Sequence, residues 1–189
     1  MKKIASLILI LWSANLVAQS IIWQNDSTAL GIWQDGQFKD VNEPIRYSSQ
    51  GNIIFEGESR DIEDMIWAYD GIGFFEKKKG EVYDAEQELI LHIKKGEVYH
   101  KTYLSNYKLL QIEKTEDFIV FYSAITDSLL AFSEDTELSN AALLSVTHFL
   151  VEKHDLIAQL TATQSATVSV IDGEIVGMRE PRVGGGVVW

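Results

Sequence analysis

Between Ile21 and about Phe132 the apolar residues come in short runs with a two-residue period, each run ended by turn-forming residues. That pattern predicts roughly ten strands joined by tight connections. Asp35-Gly36, Asp70-Gly71 and Asp172-Gly173 each sit between apolar or aromatic residues. Both positions of an Asp-Gly pair accept positive φ, so each pair predicts a hairpin. Further strands are expected over Lys108 to Glu113, Asp117 to Ala124 and Leu129 to Ser133.

An internal echo supports a meander. Lys78-Lys79-Gly80-Glu81-Val82-Tyr83 recurs as Lys94-Lys95-Gly96-Glu97-Val98-Tyr99, a spacing that suits successive hairpins. A three-residue loop of Lys94, Lys95 and left-handed Gly96 would set Ile93 opposite Glu97 and Leu91 opposite Tyr99. Leu89, Leu91, Ile93, Tyr99 and Tyr103 would then share the core face. Ile22-Trp23-Gln24 likewise returns as Ile32-Trp33-Gln34.

The period changes near residue 137. Asp135 or Thr136 can cap a helix over about 137–158, with Leu138, Ala142, Val146, Phe149, Leu150 and Ile157 as its apolar face. Leu144 and Val151 lie outside that stripe, which predicts that something covers the second side as well. Glu152, Lys153, His154 and Asp155 make the helix unsuited to crossing a bilayer. A last hairpin is expected over Thr167 to Ile171 and Glu174 to Met178, then a flexible tail over 181–189 hinged at Gly184 to Gly186.

The start of the chain changes the picture most. Lys2 and Lys3 precede an apolar run from Ile4 to Trp12, and Ala18-Gln19 offers a cut after a small residue. This layout predicts a signal peptide over residues 1–18, followed by one β-rich domain over 19–180. The product is expected in the periplasm, the cell envelope or outside the cell, with no transmembrane helix after cleavage. Removing Lys2 and Lys3 takes the net charge from −12 to −14. An acidic surface repels phosphate backbones, so nucleic acid is not an expected partner. The chain has no Cys, so packing rather than disulfides must hold the fold.

Candidate chemistry is sparse. His92 and His100 are weak metal candidates: the register above puts them on one face of neighbouring strands, and the solvated-ribbon reading outweighs the metal. His148 and His154 are six apart on a helix and point away from each other. The acidic stretches Glu56 to Asp64 and Glu113 to Asp117 lack the alternating pattern of a calcium loop. There is no Gly-x-Ser-x-Gly elbow and no phosphate loop. No cofactor and no catalytic residue are expected. Trp23, Trp33 and Trp67 are the aromatic candidates for contact with a ligand or partner.

Three resemblances follow from particular residues. Gly31-Ile32-Trp33 resembles the opening of lipocalin-like barrels, which implies a tryptophan closing the floor and a small apolar ligand inside. The cadence Tyr83-Asp84-Ala85-Glu86-Gln87-Glu88-Leu89, then Ile93-Lys94-Lys95, then Asn140 to Val151 resembles tubby-like and LURP-one-like domains. In those a long meander wraps a late apolar helix, which implies a central place for the helix. Arg182, Gly184, Val187 and Trp189 look like the final-strand signal of outer-membrane barrels, which implies a wall of membrane-crossing strands.

The sequence therefore predicts a mainly β fold, an antiparallel meander that is barrel-like or sandwich-like, with one long helix near its C-terminus. Its expected role is non-catalytic binding of an envelope protein or a small apolar ligand. A carboxylate-based hydrolase is the competing class.

Overall fold

The structure is a computed structural model that describes residues 19–24, 28–41, 45–102 and 105–163. The expected signal peptide, last hairpin and tail lie outside the described residues, as does Tyr103.

Twelve antiparallel strands are described. They are β1 (Ser20–Trp23), β2 (Ala29–Gln34), β3 (Gln37–Asp40), β4 (Tyr47–Gln50), β5 (Ile53–Glu56), β6 (Met65–Asp70), β7 (Gly80–Tyr83), β8 (Leu89–Lys94), β9 (Glu97–Lys101), β10 (Asn106–Lys114), β11 (Ile119–Ser123) and β12 (Leu129–Ser133). Each pairs with the next, and β1 returns to β12 through Ile22↔Ser133 and Trp23↔Phe132. The meander is a closed barrel, which leaves no strand edge unpaired among the described residues. It is two strands richer than the sequence pattern suggests.

Alternation along the strands sends one set of side chains inward. Ile22, Phe38, Ile54, Val98 and Phe121 are fully buried on the inner face. Helix α1 (Asn140–Lys153) joins them in one continuous core. Its Ala141, Leu143, Leu144, Ser145, Val146 and Phe149 are all buried although they point in all directions around its axis. A helix that is apolar all round must be covered all round, and here the strands cover it: Phe149 packs on Phe38 of β3, and His148 meets Tyr47 of β4 and Trp67 of β6. Leu144 and Val151, the two residues outside the expected stripe, are buried against this wall. The helix fills the lumen.

The helix limits differ from expectation. Ser139, not Asp135 or Thr136, is the N-cap, its hydroxyl accepting from the Ala142 N–H at 3.2 Å. After Lys153 the chain breaks at His154 and Asp155, the latter at φ +47°, and a second helix α2 follows over 156–163. The expected single helix is thus two, and Ile157, placed on the apolar face, is 39% exposed on the second. Among the described residues no helix is long and apolar enough to cross a membrane.

Turn chemistry explains which hairpins formed. Asp35 and Gly36 both take positive φ and join β2 to β3 as expected. Asp70-Gly71 does not make a tight turn. Asp70 ends β6, and residues 71–79 form a loop that folds over the β8–β9 turn, where the carbonyls of Phe74 and Glu76 accept the N–H groups of Gly96 and Lys95. Phe74 is 1% exposed beneath it. Burial of that ring, with two backbone bonds, outweighs the local preference of the Asp-Gly pair.

The β8–β9 register also differs. The loop has two residues, Lys95 and Gly96, both at positive φ, and the pairs are Lys94↔Glu97, Ile93↔Val98, His92↔Tyr99 and Leu91↔His100. Val98 takes the core place expected for Tyr99. Asn140 of α1 donates to the Ile72 carbonyl at 3.3 Å in the 71–79 loop, so the helix enters at that end of the barrel. It leaves at the other end, beside Arg46, Trp67 and His100.

Candidate site at the barrel mouth

The strand ends around the C-terminal turn of α1 leave a cleft of about 350 Å³. Its apolar wall includes Trp67, Leu91 and Val151, and its polar groups are His100, His148, Glu152 and Asp155. The helix supplies two of these on one face, because His148 and Glu152 are four residues apart.

A chain of hydrogen bonds runs along the rim. The Tyr47 hydroxyl donates to Glu152 Oε2 at 2.8 Å, and Arg46 Nη2 donates to the same oxygen at 3.0 Å. A hydroxyl has one proton, so the contact of 3.0 Å between Tyr47 and His148 Nδ1 must have the imidazole as donor. His148 therefore carries a proton on Nδ1. Burial drives its pKa down to about 4, and the Glu152 carboxylate only partly opposes this. Burial pulls Glu152 upward, but the bonds from Arg46 and Tyr47 outweigh it and hold the carboxyl below its usual range. Burial raises the Tyr47 phenol, with Arg46 opposing and Glu152 adding to the rise. Each group is fixed in one protonation state near neutral pH.

His100 projects inward at the same mouth. Its Nδ1 is buried and without a partner among the described residues, and burial lowers its pKa. A buried polar atom left unpaired costs about 1–3 kcal/mol unless something outside the chain satisfies it.

Of the metal and ligand-contact candidates named from sequence, the mouth brings together Trp67 and His100. His92 lies on the opposite, outer face, stacked on Tyr99 with ring centres 4.9 Å apart, so the strand register separates the two candidate metal ligands. Trp23 pairs with Phe132 on the outer wall. Trp33 sits opposite Phe38 and packs against the core. Arg46, Tyr47 and Glu152 were not legible as site residues. The four-residue spacing of His148 and Glu152 was the available clue. Among the described residues no group of three or more His, Asp or Glu is placed to hold a metal ion.

Changing Tyr47 to Phe should show how the rim is held. The hydroxyl satisfies both His148 and Glu152, so its loss leaves a buried imidazole N–H unpaired and should cost about 1–2 kcal/mol. Urea unfolding at neutral pH measures this, and an unchanged midpoint would mean that the bond to His148 contributes nothing.

Comparison of the chain with protein-family models, with curated proteins and with solved structures finds no match.

Proposed function

We propose that this chain is an exported, non-catalytic binding protein whose ligand or partner docks at the mouth of a plugged barrel rather than inside it. The observation that carries this reading is α1, buried on every side in the lumen that a carrier would keep open. The lipocalin-like resemblance loses support on that ground. The tubby-like and LURP-one-like resemblance, a meander wrapped around a late apolar helix, gains it. A lipid-facing barrel wall is disfavoured by the outward Glu81, His92, Glu97 and Lys108 of β7 to β10 and by strands mostly shorter than the nine or so residues that a crossing requires.

The mouth suits a small group with an apolar body and a hydrogen-bonding tip. Trp67 and Val151 would take the body, and His100 Nδ1 would take the tip. A hydrolase is the second reading, since Glu152 and Asp155 both reach this cleft. Against it, Oε2 of Glu152 is already committed to Tyr47 and Arg46, and among the described residues the cleft is lined by no Ser, Thr or Cys that could act as nucleophile.

Export is tested by sequencing the N-terminus of the protein from its own cells, where an intact Met1 would end that part of the reading. Docking at the mouth is tested by native mass spectrometry of the same material. A bound small molecule or protein should be retained by the parent and depleted about tenfold in a Trp67→Ala variant. Equal retention by both would place the contact elsewhere.

A further inference from the structure

The repeated Lys-Lys-Gly-Glu-Val-Tyr segment has a structural counterpart on the outer wall, away from the mouth. The Glu-Val-Tyr part of each copy lies on β7 and β9, either side of β8. In each, the tyrosine hydroxyl donates to the carboxylate two residues earlier: Tyr83 to Glu81 at 2.7 Å, and Tyr99 to Glu97 at 2.9 Å. Each carboxylate also holds one lysine, Lys79 on Glu81 at 3.0 Å and Lys108 on Glu97 at 2.7 Å. Strand pairing sets Glu81, His92, Tyr99 and Lys108 in a row across the wall.

These two carboxylates are thus used up, and cations remain. Lys77, Lys78, Lys94, Lys95 and Lys101 are exposed and make no ion pair among the described residues. With Lys79 and Lys108 they amount to seven of the 16 Lys and Arg residues of a chain whose net charge is −12. Of these, Lys79, Lys94 and Lys95 line a depression of about 430 Å³ together with His92, Tyr99, Glu97 and Asn106, and Lys101 stands opposite Asn106 in the strand register. His92 Nδ1 is buried in this wall without a partner.

We infer that this groove binds an acidic polysaccharide, its carboxylate or sulfate groups paired with Lys94, Lys95 and Lys101 and its hydroxyls with the polar floor. Two features favour a slender glycan over an anionic bilayer. Screening limits charge interactions to about 10 Å at ordinary salt, so a thin chain feels mainly the local lysines, whereas a charged plane also meets the acidic remainder of the body. Inside the groove the Asn106 side-chain amide offers a donor and an acceptor, and the Tyr99 hydroxyl oxygen a further acceptor, for sugar hydroxyls, and a bilayer surface has no use for them. The choice of an envelope glycan rests on the proposed export. The anion chemistry of the groove does not.

The test is direct binding of polygalacturonate and heparin to the chain lacking residues 1–18 and to the full chain. Binding of either glycan should weaken as salt rises from about 50 to about 200 mM. A Lys94→Gln/Lys95→Asn/Lys101→Gln variant should lose at least about tenfold in affinity, and Lys39→Gln should lose none. Asn is used at residue 95 because it tolerates positive φ. Thermal unfolding of the triple variant checks that its barrel persists. The proposal is overturned if neither glycan binds the parent, if the triple variant binds as tightly, or if phosphatidylglycerol vesicles or single-stranded DNA bind as tightly as the glycans. An intact Met1 in cells, with glycan binding retained, would end the export reading alone.

Discussion

Gly96→Ala should destabilise the barrel by about 4 kcal/mol, more than alanine at any other described glycine. Two effects add. Gly96 has φ +77°, where a Cβ is strained by about 1 kcal/mol or more. That Cβ would also stand 2.0 Å from the Ile112 carbonyl oxygen of β10, a backbone atom with no rotamer to change. Overpacking against fixed atoms costs about 1–3 kcal/mol. The Gly96 N–H donates to Phe74 and its carbonyl accepts from Ile112 at 2.7 Å, so relief by moving residue 96 would break the bonds that tie three connections together. Gly51→Ala is the matched control: its φ is +61°, yet nothing lies within 4 Å of the added carbon. That variant should lose only about 1 kcal/mol. Urea unfolding of both separates strain from collision, and similar losses would mean that β10 yields freely.

The same turn shows what could be read from sequence and what could not. The Lys-Lys-Gly repeat pointed correctly to a hairpin between β8 and β9, but not to whether the loop held two residues or three. That difference is one residue of register, and one residue turns every side chain to the other face. It moved Val98 into the core, Tyr99 out of it, and His92 and His100 to opposite sides of the wall. Asp35-Gly36 kept its promise because its flanking strands, β2 and β3, pair locally. Asp70-Gly71 did not, because Phe74 finds its burial site further along the chain.

Closure of the barrel was beyond local reading, since β1 meets β12 across more than a hundred residues. The helix was more legible. Leu144 and Val151 on its supposed polar side required a second cover, and the inner wall of a closed sheet supplies cover on every side. The mouth depends on both facts. Tyr47 and His148 are 101 residues apart, and only a helix threaded through the lumen brings its last turn to the start of β4. The plug thus positions the rim, and any loosening of α1 should loosen the candidate site with it.

Acidification should act on this junction first, through His148. The folded pKa is about 4, driven down by burial, against about 6.5 in an unfolded chain. Above pH of about 6.5 neither form of the chain protonates this imidazole, and stability is unaffected. Between about 6.5 and about 4 the unfolded chain takes up a proton that the native one refuses, so stability falls as pH falls, by about 3 kcal/mol in all. Below about 4 both forms are protonated and the contribution levels off. His100 is also lowered by burial and steepens the same slope. Glu152, held below its usual range, weakens the fold only at more acidic pH still. His148→Gln replaces the donor to Tyr47 by a group that does not titrate, so its stability between pH of about 7 and about 4.5 should decline by about 2 kcal/mol less than the parent's. Urea unfolding across that range reads the difference. Parallel profiles for the two proteins would mean that His148 is solvated in the native state and that the rim is open to water around it.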